Sequence, residues 1–101
     1  MIFVVFDLPA TTKAERRSYT QFRKGLISLG YSMVQESVYA LLVRSSHSVD
    51  AELLALDRIS PKQGHVLALP MTLAQFKRMI AVSGEPFDFS FFSDDVVLIG
   101  A

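Results

Sequence analysis

The residue best placed to do chemistry is Asp7, which follows the apolar run 1–6 and precedes Leu8 and Pro9. The run has the length and the branched and aromatic content of a strand buried on both faces. Pro9 cannot continue a hydrogen-bonded ladder, so the strand must end beside Asp7. A carboxylate at the carboxyl end of a buried strand stands where open sheets tend to hold ligands and metal ions. The alternative is an aspartate that only bonds the backbone amides of a turn.

A second candidate surface is basic. Although the formal net charge is zero, five of the ten lysines and arginines fall in one short segment. They are Lys13, Arg16, Arg17, Arg23 and Lys24. At about 100° per residue, Lys13, Arg17 and Lys24 lie opposite the apolar stripe of a helix, with the two other arginines along one flank. Such a cluster is typical of phosphate-backbone binding, and equally of a helix face that is merely solvated.

Composition excludes several other classes of site. The 101 residues are 50% hydrophobic and 20% charged, which is typical of one globular domain. Cysteine is absent, so there is no disulfide, thiolate zinc site or cysteine nucleophile. His47 and His65 have no ligand partner at metal-binding spacing, and we interpret both as structural or surface residues. The chain lacks a membrane-length apolar run and a signal-peptide pattern, so we expect a cytoplasmic protein without a membrane partner.

The first predicted helix begins at Thr11 or Thr12 and ends at Gly30. Its apolar stripe recurs at steps of three and four residues, which is the period of a helix packed on one side. The stripe consists of Tyr19, Phe22, Leu26 and Leu29. This pattern leaves the basic residues of the same segment on the outside of the helix.

The remaining segments predict strands alternating with helices. Residues 32–43 form one long strand or a bent pair of strands, and a second helix begins at Ser48. A strand over 65–70 follows, then a short helix capped by Thr72 that carries Leu73, Phe76 and Ile80 on one side. A last strand covers 96–99.

This order predicts an α+β, two-layer sandwich with helices on one face of the sheet. If 32–43 bends into two strands, the order becomes βαββαβ, the ferredoxin-like fold, in a single domain over 1–101.

Five short motifs occur in a characteristic order. They are Phe6-Asp7-Leu8-Pro9, Arg16-Arg17-Ser18-Tyr19, Phe22-Arg23-Lys24, Gly30-Tyr31 and Gln35-Glu36-Ser37-Val38-Tyr39. With these motifs the chain resembles the CRISPR-associated protein 2 family, the small subunit of the spacer-acquisition complex. The combination of Phe-Asp-Leu-Pro with Phe-Arg-Lys is most similar to the branch from type II systems.

The resemblance implies a ferredoxin-like homodimer in which the C-terminal strand segment, 93–101, joins the partner's sheet. It also implies assembly with the CRISPR-associated integrase subunit around a short DNA duplex. A magnesium- or manganese-dependent endonuclease activity on RNA or DNA is implied as well, with Asp7 as metal ligand and catalytic residue. Two Asp7 carboxylates at a two-fold interface would suit one ion better than a single carboxylate.

Two other residues are candidates for positioning phosphate, namely Ser37 and Tyr39, although as strand residues they are equally plausible as structural ones. We expect Glu36 to point away from Asp7, because neighbours on a strand face opposite sides. The leading hypothesis is a DNA-binding scaffold for spacer acquisition in antiviral defence, with a nuclease activity that its role does not require. The alternatives are a stand-alone, toxin-like endoribonuclease and a non-enzymatic ferredoxin-like module that dimerises or binds a ligand.

Overall fold

The computed structural model describes residues 1–44 and 47–90. Seven elements follow one another in these ranges: β1 (Ile2–Asp7), α1 (Lys13–Ser28), β2 (Ser32–Gln35), β3 (Val38–Leu41), α2 (Val49–Ile59), β4 (His65–Pro70) and α3 (Leu73–Phe76). The chain divides into two compact units. The first unit, Met1–Met71, contains the sheet with α1 and α2, and the second unit begins at Thr72 and contains α3.

The four strands form one antiparallel sheet in the order β2-β3-β1-β4. Each helix of the first unit connects two strands that are separated by one strand in the sheet, as in the split βαβ units of ferredoxin-like folds. The predicted ferredoxin-like α+β fold is therefore confirmed. The stretch 32–43 does bend into two strands, and the turn falls at Glu36 and Ser37.

One face of the sheet carries the core of the first unit. In β1 alternate residues are buried, and these meet apolar residues of both helices. The core cluster consists of Ile2, Val4, Phe6, Leu8, Phe22, Leu26, Tyr31, Tyr39, Leu41 and Leu56. Phe6 is at its centre, with its ring centroid 5.0 Å from that of Phe22 and 5.8 Å from that of Tyr39. The predicted stripe of α1 is thus confirmed as the side of the helix that faces the sheet.

The other face of the sheet is not covered in the same way. Val5 is 41% exposed on β1, and Leu67 and Leu69 are 68% and 57% exposed on β4. The expectation that β1 is buried on both faces is therefore wrong for the single chain, because both helices of this unit pack against the same side. We call this side the open face. It is formed by Phe3, Val5 and Asp7 of β1 and by the residues opposite them on β4, Leu69, Leu67 and His65.

The helix starts agree with their local sequence signals. Thr12 caps α1, and its hydroxyl accepts from the Glu15 N–H while the Glu15 carboxylate accepts from the Thr12 N–H at 2.8 Å. Thr72 and Gln75 form the same reciprocal arrangement at α3. However, α3 ends at Phe76, and Ile80 lies beyond it at 80% exposure. The expected place of Ile80 on the apolar side of this helix is therefore wrong.

In the second unit the described residues pack three aromatic rings together. Phe76, Phe87 and Phe89 meet edge to face, with centroids 5.1 to 5.9 Å apart. The predicted strand 96–99 and the dimerisation segment 93–101 lie outside the described residues. The single domain over 1–101 accordingly stays a prediction. Among the helices of the described ranges, none has both the length and the apolar character needed to cross a membrane.

Candidate functional site

Asp7 is the last residue of β1 and lies on the open face with an exposed side chain, between two residues that are buried in the core, Phe6 and Leu8. In the antiparallel pairing of β1 with β4, its direct partner is His65. Asp7 therefore lies at the carboxyl end of the strand, as the sequence predicted; its side chain is exposed, and a histidine of another strand lies beside it.

Gly64 makes this pairing sterically feasible. Its φ is +87°, a conformation that residues with a side chain rarely adopt. A Cβ atom at this position would lie 2.6 Å from the Asp7 carbonyl oxygen and 2.9 Å from Cδ2 of Leu8. The start of β4 can therefore approach the end of β1 only because residue 64 is glycine. The sequence alone does not reveal this role of Gly64, because it depends on a contact with a residue 57 positions earlier.

The turn between β2 and β3 reaches the same end of the sheet. The N–H of Phe6 donates to the carbonyl oxygen of Ser37 at 3.1 Å, which ties this turn to the carboxyl end of β1. Ser37 is half-buried and lies in the turn rather than on a strand, so its strand assignment is corrected. The topology thus brings Asp7, Ser37 and His65, from three separate segments, to one end of one sheet.

Tyr39 faces the core and is only 1% exposed. Its hydroxyl accepts a hydrogen bond from Nε of Arg23 at 3.1 Å. This bond, followed by the charge interaction with the same tyrosine, raises the pKa of the Arg23 guanidinium. The exposed head of Arg23 is thus oriented through Nε, while its two terminal nitrogens lie outside this bond. Tyr39 is placed to orient a cation rather than to touch a phosphate itself.

The five predicted cations of α1, Lys13, Arg16, Arg17, Arg23 and Lys24, all have exposed side chains. Arg16 is also oriented by the chain, because Nη1 donates to the Thr11 carbonyl oxygen at 2.7 Å. We call these five side chains the basic surface. Since only five residues, 8–12, separate the end of β1 from the start of α1, the start of the basic surface lies at the same end of the unit as Asp7.

Two acidic residues accompany the basic surface. Glu15 accepts hydrogen bonds from the backbone N–H groups of Thr12 and Thr11, and the bond from Thr12 is the main reason that its pKa is lowered. Glu36 is exposed in the β2–β3 turn, and its charge contributes to the raised pKa of Arg23. Glu36 therefore occupies a turn position rather than the strand position from which we expected it to point away from Asp7, and its electrostatic partner is Arg23.

A divalent ion at Asp7 would have few protein ligands. Within residues 1–44 and 47–90, no group of three or more His, Asp or Glu residues could hold a metal ion. Mg²⁺ commonly takes only one or two carboxylates and completes its octahedron with water and substrate phosphate. The exposed Asp7 carboxylate, which makes no hydrogen bond or ion pair with another described residue, fits that kind of site.

Comparison with known proteins identifies the family to which the chain belongs. The family model described as CRISPR associated protein Cas2 matches residues 1–79. A protein of Streptococcus mutans serotype c is 39% identical over 84 residues, which are 83% of this chain and 78% of that protein. One from Acidovorax ebreus is 38% identical over 84% of this chain and 83% of its own length. One from Lacticaseibacillus rhamnosus is 33% identical over 97% of this chain and 98% of its own. All three are named CRISPR-associated endoribonuclease Cas2. The resemblance seen in the sequence motifs is confirmed, and the chain belongs to the CRISPR-associated Cas2 family.

Proposed function

We propose that the chain acts in CRISPR spacer acquisition, as a homodimeric scaffold that holds a short DNA duplex for the integrase subunit. The observation that carries this proposal is the basic surface. Five exposed cations, half of the lysines and arginines of a chain whose net charge is zero, lie on one helix. Lysine and arginine side chains on such a surface bind phosphate oxygens and fix register without reading bases.

Two of these cations are oriented before any ligand arrives. Arg23 is bonded to Tyr39, and Arg16 is bonded to the Thr11 carbonyl oxygen. An arginine whose rotamers are already restricted loses less conformational entropy when it meets a phosphate, so its contact contributes more to affinity. This restriction favours a binding surface over a helix face that is merely solvated.

The open face supports the homodimer. Val5, Leu67 and Leu69 expose apolar side chains on neighbouring strands, and a sheet face of this composition is normally covered. A second copy related by a two-fold axis would cover it with an identical apolar face. A two-fold axis near the carboxyl end of β1 would also bring the two Asp7 carboxylates toward one another, since Asp7 lies on that face.

The outer edge of β4 supports the addition of a strand from the partner. Among the described strands β4 has a neighbour on one side only, and a groove lined by Leu53, Leu56, Val66 and Ala68 lies between α2 and this edge. An added strand would satisfy the edge and fill the groove with apolar side chains. We propose the partner's C-terminal segment, 93–101, as that strand.

A second activity, metal-dependent phosphodiester cleavage, is favoured by the placement of Asp7 and by the endoribonuclease names of the relatives. Asp7 would hold a Mg²⁺ or Mn²⁺ ion, and the exposed Arg16 and Arg23 would bind substrate phosphates. When bound, such an ion polarises a phosphoryl oxygen and lowers the pKa of an attacking water. RNA is the substrate class that the relatives' names indicate, and DNA is the ligand of the scaffold role.

The scaffold is tested by duplex binding as a function of salt, with the integrase subunit present and absent. Replacing Arg16 and Arg17 by alanine should reduce the slope of log affinity against log salt by about one for each lost phosphate contact. The control replaces Arg58 and Lys62, two exposed cations outside the basic surface, by alanine. This variant loses the same number of positive charges as the Arg16 and Arg17 variant. If both variants bind and support integration equally, the basic surface has no special role.

The nuclease activity is tested separately with Asp7→Ala. We expect a folded dimer that has lost cleavage of RNA in magnesium and still binds duplex and supports spacer insertion. An exposed strand-end carboxylate contributes little to the core, so loss of folding would not explain the result. Cleavage that persists in this variant would place the metal site elsewhere, and simultaneous loss of insertion would make cleavage the principal function.

A further inference from the structure

The pairing of Asp7 with His65 brings two potential metal ligands together from strands that are distant in sequence. The residues are direct cross-strand partners in the antiparallel pairing of β1 with β4. Residues in such positions carry their side chains on the same face, with Cβ atoms about 4.5–5.5 Å apart. A carboxylate and an imidazole at that separation can reach one ion, because each side chain extends beyond Cβ and ligand distances are about 2 Å.

Both side chains are exposed on the open face. In the described part of the chain, neither one makes a hydrogen bond or an ion pair with another side chain. Their backbones, in contrast, are firmly placed by the strand pairing and by the close approach of Gly64 to the Asp7 carbonyl oxygen. In the single chain the pair is therefore accessible, free to take a ligand, and held at a fixed spacing.

The other histidine has a different environment. His47 precedes α2, and its Nδ1 lies 3.0 Å from a carboxylate oxygen of Glu52, which is in the first turn of that helix. That contact links a helix start to its own first turn and has no connection with the open face. The chain thus provides one histidine beside Asp7 and one that serves as an internal control.

Resting on the metal site proposed at Asp7, we propose that His65 is a second ligand from the same chain. Carboxylate and water suit Mg²⁺, whereas imidazole suits later first-row ions. An Asp–His pair would therefore bind Co²⁺ or Ni²⁺ more tightly than Mg²⁺, because its imidazole nitrogen suits those ions and Mg²⁺ prefers oxygen ligands. His65 would determine which ion occupies the site, and Asp7 would be needed for any ion. His65 is exposed, in agreement with its interpretation as a surface residue, and the proposal adds a role as metal ligand.

The test measures Co²⁺ and Mg²⁺ binding to the full chain by calorimetry, without substrate. His65→Asn should weaken Co²⁺ binding by at least about tenfold and leave Mg²⁺ binding within about twofold. Asp7→Asn should weaken the binding of both ions, and His47→Asn should affect neither. In NMR spectra of the Co²⁺-loaded protein, a strongly shifted imidazole N–H signal should be present in wild type and His47→Asn and absent in His65→Asn.

Different outcomes overturn different claims. If His65→Asn binds Co²⁺ as wild type does while Asp7→Asn does not, His65 is not a ligand and the metal site at Asp7 stands. If Asp7→Asn retains both ions, the proposed metal site itself is wrong. If His65→Asn abolishes RNA cleavage but binds Co²⁺ normally, the imidazole handles a proton or substrate rather than the ion, which also overturns the proposal.

Discussion

The two faces of the sheet differ in what they require from a second molecule. The face under α1 and α2 is closed by the chain itself, with Phe6 and Phe22 packed edge to face at 5.0 Å. The open face leaves Leu67 and Leu69 more than half exposed, and it also carries Asp7 and His65. The helix-covered face therefore stabilises the fold of the single chain, whereas the open face leaves apolar and metal-binding types of side chain exposed.

The largest effect should come from the helix-covered face. Phe22 is 1% exposed and contacts the centre of the core, so Phe22→Ala removes buried area and leaves a cavity. We expect the free energy of unfolding to fall by about 3–5 kcal/mol, measured by urea denaturation. Ile27→Ala is the matched control on the same helix, because Ile27 is 60% exposed and should lose less than about 1 kcal/mol. Equal losses would mean that α1 does not pack as described.

The next largest effect should be on dimer affinity rather than on folding, because the substitution lies on the open face. Leu67→Glu places a carboxylate in the middle of the open face. In the proposed dimer this carboxylate would lose its contact with water without gaining an opposite charge. We expect dimer affinity to fall on the order of 100-fold, while the protomer keeps its circular dichroism spectrum. Sedimentation across a concentration series measures this change.

A matched change outside the open face controls for hydrophobicity. Leu54 is 53% exposed on α2, so Leu54→Glu alters the same residue type at similar exposure. This variant should dimerise as the unchanged protein does. If Leu67→Glu dimerises equally well, the open face is not the interface, and another surface must cover it.

Local signals explain why most of the fold could be predicted from the sequence. Thr12 with Glu15 and Thr72 with Gln75 are capping boxes that act within three residues, so their spacing is readable along the chain. The stripe of α1 is likewise set by helical period alone. These features do not depend on which strands become neighbours.

Contacts between distant residues explain what could not be predicted. Asp7 was recognisable as a strand-end carboxylate, but its pairing with His65 depends on β4 lying beside β1. The use of Gly64 at the Asp7 carbonyl oxygen depends on the same pairing. The burial of β1 was overestimated because a uniformly apolar strand suits two covered faces equally well, and only the placement of both helices on one side distinguishes them.

A smaller effect, on duplex affinity, is expected from the contact between the core residue Tyr39 and Arg23 of the basic surface. Tyr39→Phe removes the hydroxyl that accepts from Nε of Arg23 and leaves the ring in place. We expect duplex affinity to fall by about two- to fivefold, as for the loss of one modest hydrogen bond. In an Arg23→Ala background the same change should have no further effect on binding, because the group that it orients is absent. A full effect in that background would show that Tyr39 acts independently of Arg23.

The smallest effect concerns a buried hydroxyl on the helix-covered side of the sheet. Tyr31 is 3% exposed, and its hydroxyl has no hydrogen-bond partner among the described residues. Burial, and secondarily the charge of Glu52, raises the pKa of Tyr31 from 10.0 to about 12. Tyr31→Phe deletes an unpaired polar group from the interior, so stability near neutral pH should stay constant or rise by up to about 1 kcal/mol.

The pH dependence gives this last prediction its sign. Because the folded-state pKa of Tyr31 lies above the unfolded value, its contribution to stability is fully present below about pH 10 and is lost as the pH rises toward 12. Urea denaturation at a series of pH values should therefore show a steeper alkaline loss for the unchanged protein than for Tyr31→Phe. Parallel curves would mean that the hydroxyl reaches water or a partner in solution. In that case the helix-covered face is less completely closed than its packing indicates, and the contrast between the two faces would be weaker.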